Sequence, residues 1–170
     1  DRTLYDKLFS HRLSLPLDEC IDPGPGTDGA SLAASARAAT LRHPFFARVA
    51  PDGERGRALF DAIAAIRLPK PVALHLTLAR ETRRALFDHG ILMALLCAHL
   101  VRESAGASTE LRDAAAAGLL HDLGMLHISP ELLDSDERLS GDELKPVWAH
   151  PLTSSMLVDR FAEYPKEVVR

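Results

Sequence analysis

"HGILMALLCAHLVRESAGASTELRDAAAAGLLHDLG", residues 89–124, sets two apolar runs of helical length on either side of a short turn of small residues, and a His-Asp pair closes the second run. From His89 to about Arg102 the first run is apolar on every side, the pattern of a central buried helix opened by His89. "ESAGAS" then turns the chain. Ser108 or Thr109 is placed to cap the second helix, and the alanines from Ala114 to Ala117 permit a near neighbour. Gly124 follows where a helix commonly ends on a left-handed residue. Two such helices joined so tightly form an antiparallel hairpin.

The hairpin brings polar residues together. With its centre near Gly106, His89 lies 17 residues back and Asp122 lies 16 forward, and antiparallel helices rising about 1.5 Å per residue make such positions level. Neighbours on a helix point about 100° apart, so His121 and Asp122 can both serve a site over the surface between them. A carboxylate beside neutral imidazoles suits Fe, Mn or Zn better than Ca or Mg alone. His150, 28 residues beyond Asp122, is a candidate for one more imidazole. The candidate metal ligands are therefore His89, His121, Asp122 and His150. Plainer roles exist for each singly, since a His-Asp dipeptide is common and a histidine opening a helix is often a surface or capping residue. His99, within the apolar helix, is expected to be a core histidine with one hydrogen bond. His127 is placed either lining the pocket or in solvent, and His11, His43 and His75 default to surface or interface.

Outward from the hairpin the signals remain helical. Ala, Leu and Arg are abundant, β-branched and aromatic residues are scarce, and no stretch alternates with period two, so the fold class is all-α. Residues 1–12 are expected as a short helix, and "LPLDECIDPGPGTDG" as a loop. "ASLAASARAATLR" reads as a helix capped by Asp28 or Thr27. "ERGRALFDAIAAI", 54–66, carries Leu59, Ile63 and Ile66 at helical spacing and is ended by "RLPKP". "VALHLTLARETRRALF" supplies one or two short helices. "SGDE", Ser140 to Glu143, is a capping box, and Pro146 makes the helix that it starts short or kinked, with His150 at the junction to a further helix. No repeat or low-complexity segment interrupts the 170 residues.

Bulk properties narrow the function. With 20 basic and 24 acidic side chains the net charge is −4, which argues against nucleic acid or anionic lipid as the main partner. The longest apolar run, Ile91 to Val101, is shorter than the roughly 18 to 20 residues that cross a bilayer, and the charged start is unlike a signal peptide. Cys20 and Cys97 are far apart and Cys97 lies in an apolar helix, so a reducing cytoplasm fits. A soluble cytoplasmic protein is expected.

His89, then His121-Asp122 within "AAAAGLLHDLG", then "ISPELLDSDERLSGDELKPVWAHP" with His150 resembles the HD superfamily of metal-dependent phosphohydrolases, and within it the HD-GYP branch of bacterial cyclic di-GMP phosphodiesterases. The resemblance spans residues 85–165 and rests on three separated elements in the same order. It implies a helical HD-type domain over 71–170, preceded by a small helical region of unknown role over 1–70. It also implies two divalent cations, Fe or Mn favoured with Zn, Mg or Ni as alternatives, bridged by Asp122 and held by His89, His121 and His150. His121 and Asp122 would be the catalytic pair, the substrate a nucleotide or cyclic dinucleotide, and the partners those of bacterial signal transduction, with a homodimer compatible. Such a centre polarises a phosphodiester and turns a bridging water into a hydroxide nucleophile. The sequence departs from the pattern at Met125, where the family has a phosphate-contacting lysine, and at Ala85, where some members carry a glutamate for a third metal. The family's second histidine motif, its Gly-Tyr-Pro element and a further aspartate would lie beyond Arg170, so the chain is expected to stop short of them. A module that keeps the scaffold and binds nucleotide or protein without turnover is the alternative. A metal-free relative of the HDOD type, to which "IRLPKPVALHL" is distantly similar, leaves His121 and Asp122 unexplained.

Overall fold

The computed structural model describes residues 26–104, 108–136, 138–159 and 168. The expected helix over 1–12, most of the following loop, His11 and Cys20 lie outside them. Among the described residues the regular structure is eight α-helices and a 3-10 turn, with no strand: α1 Gly29–Arg42, α2 Pro44–Val49, α3 Glu54–Ala64, α4 Lys70–Thr82, α5 Arg84–Glu103, α6 Ser108–Leu120, the 3-10 turn Leu123–His127, α7 Pro130–Leu133 and α8 Gly141–Asp159. The all-α expectation holds.

Helix α1 starts where its cap says it should. Asp28 accepts from the Ser31 N–H at 2.7 Å while the Ser31 hydroxyl accepts from the Asp28 N–H at 2.9 Å, a reciprocal box that satisfies two otherwise orphaned donors. Hydrogen bonds from Ser31 to the carboxyl, that of the backbone N–H first and then that of the side chain, hold Asp28 below its ordinary range. Thr27 is buried and its N–H donates to the Thr77 hydroxyl at 2.9 Å, which ties the start of α1 to α4. In α3, Leu59 and Ile63 are wholly buried, and the helix stops at Ala64 with Ile66 buried just beyond.

Three boundaries differ from expectation. Helix α5 begins at Arg84, not at His89, because nothing in Ala85–Asp88 breaks a helix and Phe87 has a core site to fill. A single residue, Arg83 (φ −136°, ψ 57°), separates it from α4, and the Arg83 guanidinium donates to the Ile128 carbonyl at 2.7 Å. His89 therefore sits in the second turn of α5. Ser108 and Thr109, expected as caps, are already helical in α6. The third difference is α8, which runs unbroken through Pro146 and Pro151 where a junction between two helices was expected. Each proline removes one helical donor, and tertiary contacts of the buried Ser154 and Val158 keep the helix whole.

Helix α5 is the centre of the fold. It packs on α6 along the hairpin and on α1, α2, α3 and α4 around its remaining sides. With 20 residues and a mean hydropathy of 1.4 it is long and apolar enough, by length and composition, to cross a membrane; here Phe87, Ile91, Ala94, Leu95 and Ala98 are buried in the core. One buried cluster extends from Leu32 to Val158 and so spans both sides of residue 70. The α5–α6 contact is close at the backbone, since a Cβ on Gly118 would lie 2.6 Å from the Met93 carbonyl oxygen. The outer face of α8 leaves Trp148, Leu152 and Met156 exposed at four-residue intervals.

Candidate metal centre

Three imidazoles converge on one carboxylate. The hairpin sets His89 of α5 against the end of α6, and α8 lies across the 3-10 turn. His89 Nε2 is 3.5 Å and His121 Nε2 is 3.2 Å from Asp122 Oδ2. His150 Nε2 approaches the other oxygen, Oδ1, at 3.0 Å. The ligand atoms of His89, His121 and Asp122 all lie within 4.8 Å of one another, a group that could hold a metal ion. The His89 and His121 rings stand 5.3 Å apart, tilted by 50°. The Asp122 side chain is the most enclosed of the four, 21% exposed, and His89 the most open, 49% exposed. A small apolar cavity of about 20 Å³ lies beside Asp122, lined by Leu76, Phe87, Gly90, Leu119 and Leu126 among others.

The donor set fits a cation. His121 Nδ1 lies 2.9 Å from the Gly118 carbonyl, and His150 Nδ1 contacts the Val147 carbonyl. A carbonyl only accepts, so each Nδ1 carries a proton, and in the neutral ring Nε2 is then a bare lone pair. Those lone pairs face carboxylate oxygens, which are also acceptors. Something positive must lie between them, either one proton for each imidazole or a shared cation. Two ligands each about 2.1 Å from one ion stand roughly 3.0 Å apart at a right angle and roughly 3.4 Å apart at the tetrahedral angle. The separations of 3.0 to 3.5 Å around Asp122 match those edges. They also divide, with His89 and His121 on Oδ2 and His150 on Oδ1.

Gly124 is what lets α8 approach. It was expected to end α6 in the left-handed conformation, but among the described residues the glycines with positive φ are Gly53 and Gly141. Gly124 is buried, and a Cβ there would lie 2.4 Å from the His150 carbonyl oxygen and 2.9 Å from the Ser154 nitrogen. Its N–H donates to the buried Ser154 hydroxyl at 2.8 Å. The glycine therefore brings the backbone of His150 against the segment that carries Asp122, a close-approach role that replaces the capping role.

The other histidines are elsewhere. His75, for which no partner was foreseen, stands with its ring 5.5 Å from that of His127, and its Nδ1 donates to the Pro71 carbonyl at 2.7 Å. His127 is exposed and is not among the grouped ligands. His43 stacks edge-on against Phe46. His99 departs from expectation: its Nδ1 is buried and has no hydrogen-bond partner. Cys97 is a free thiol whose burial pushes its pKa up. Beside His89, Asp88 is held by Arg84 at 3.0 Å and by Arg42 at 3.7 Å. Sequence reasoning did not foresee Gly118, Gly124, Val147 or Ser154 as parts of the site. Comparison of the chain with protein-family models, with curated proteins and with solved structures gives no match.

Proposed function

We propose that the chain is a metal-dependent phosphohydrolase of HD type, acting on a nucleotide phosphodiester with a cyclic dinucleotide such as cyclic di-GMP as the leading candidate, in the bacterial cytoplasm. What supports it is the convergence of His89, His121 and His150 on the two oxygens of Asp122. A divalent cation held there supplies Lewis acidity toward a phosphoryl oxygen and acidifies a water to a nucleophile. Asp122 brings the one negative charge of the set and offers an oxygen to each side. His121 and His150 present neutral Nε2 donors whose orientation is fixed through Nδ1, a tie that tunes both tautomer and basicity. The openness of His89 leaves room for a substrate phosphate to reach the centre.

A binding module without turnover is the second reading, favoured by Met125, which replaces the expected phosphate-contacting lysine with a thioether. Turnover separates the two. With Mn²⁺ or Fe²⁺ supplied, the chain in its longest natural form is expected to hydrolyse bis-p-nitrophenyl phosphate and cyclic di-GMP, and His121→Ala to lose that activity. A fully metallated protein inert toward both substrates would overturn the enzyme assignment in favour of the binding module.

A further inference from the structure

We infer that Pro151 is a positioning residue for the metal centre: by lacking an N–H it frees the Val147 carbonyl, which then fixes the tautomer and direction of the His150 ring. In an uninterrupted helix the carbonyl of residue 147 would accept from the N–H of residue 151. Helix α8 continues through this point, yet residue 151 is proline and has no such donor. Its ring also crowds the carbonyl four residues back and tilts it away from the helix axis. The His150 Nδ1 makes its contact with that same oxygen. With Nδ1–H donating inward to Val147, the opposite nitrogen, Nε2, is turned toward Asp122 Oδ1 at 3.0 Å, where it is available to a cation.

The same device occurs independently at a second imidazole of the group. His121 Nδ1 donates to the Gly118 carbonyl, again three residues back. There the helical donor would be the N–H of Asp122, which lies past the end of α6 at Leu120. One orphaned carbonyl comes from the end of a helix and the other from a proline within one. Each orients an imidazole onto a different oxygen of Asp122. Pro146, by contrast, frees the Asp142 carbonyl, and no histidine stands three residues after Asp142 to use it.

The inference rests on the metal-centre reading, but its first test needs no metal. In the metal-free chain, long-range ¹H–¹⁵N correlation at fixed pH is expected to show His150 Nδ1 carrying a proton, whatever occupies Nε2. Pro151→Ala restores the helical N–H, which competes for Val147, so His150 is expected to shift toward the Nε2–H tautomer. Mn²⁺ titration of the same variant is expected to show affinity reduced 10- to 100-fold, about the range found when the partner that orients a ligand histidine is removed. Its melting temperature is expected to rise, since a helix interior favours alanine over proline. Loss of affinity with a gain of stability is the opposite of what a merely structural proline would give. Pro146→Ala is the control and is expected to raise the melting temperature with His150 and Mn²⁺ affinity unchanged. A Pro151→Ala chain with the wild-type His150 tautomer and wild-type affinity would overturn the inference. Failure of the unmodified chain to bind Mn²⁺ would instead overturn the metal-centre reading, with the tautomer measurement still deciding the role of Pro151.

Discussion

The Asp122 carboxylate is approached by the Nε2 atoms of three imidazoles, and the residues that make this arrangement possible are mostly other than these four. Gly124 is the clearest of these. Adding a methyl group at position 124 would place it 2.4 Å from the His150 oxygen and 2.9 Å from the Ser154 nitrogen, and backbone atoms cannot give way as a flexible side chain can. Overpacking of this kind costs about 1 to 3 kcal/mol. Gly124→Ala is expected to lose that much stability in a denaturant melt and also to weaken metal binding, because relief requires α8, and His150 with it, to move outward. The convergence itself was legible in the sequence: His121 and Asp122 stand where packing would favour leucine, and helix rise places His89 level with them. Gly124 was visible but misassigned, because a glycine just past a helix serves either a left-handed turn or a close neighbour. Only the path of α8, thirty residues on, decides which.

At the scale of elements, local chemistry gave a start where a side-chain cap marks it and missed one where none does. The Asp28 cap of α1 was readable because Asp-x-x-Ser offers both halves of the box. Asp28→Ala is expected to cost about 1 kcal/mol at pH 7, measured as the shift in a urea midpoint. The sign of its pH dependence follows from the lowered carboxyl: the stabilisation is fully present above the unfolded value of 3.8, and it is lost as pH falls through the lower folded value. The difference between wild type and Asp28→Ala should therefore shrink in acid and stay constant from pH 5 upward; a difference that grows in acid would contradict the cap. Helix α5 was read as starting five residues late, because its first turn is charged and mixed and only the core site of Phe87 marks it as helical. Helix α8 was read as two helices because proline is the strongest local break signal. The fold overrides that signal through the buried Ser154, which accepts from Gly124.

For the whole molecule, abundant helix formers and the absence of period-two stretches were enough to give the all-α class, and the hairpin of α5 and α6 was enough to place its centre. The N-terminal helices were less legible as part of the same core. Their alanine-rich faces carry little periodic signal, yet Leu32, Ala36 and Ala39 are buried in the cluster that holds Leu95 and Leu119. This packing fixes α5 from several sides and so fixes the height of His89 against Asp122. The central claim is that the four side chains gathered by this core share a cation. Metal content per chain, measured by elemental analysis after expression in medium rich in Fe and Mn, tests it most directly. The wild-type chain is expected to carry one to two equivalents, and folded Asp122→Ala none. A metal-free wild-type chain, or an Asp122→Ala chain with the same content as wild type, would contradict it.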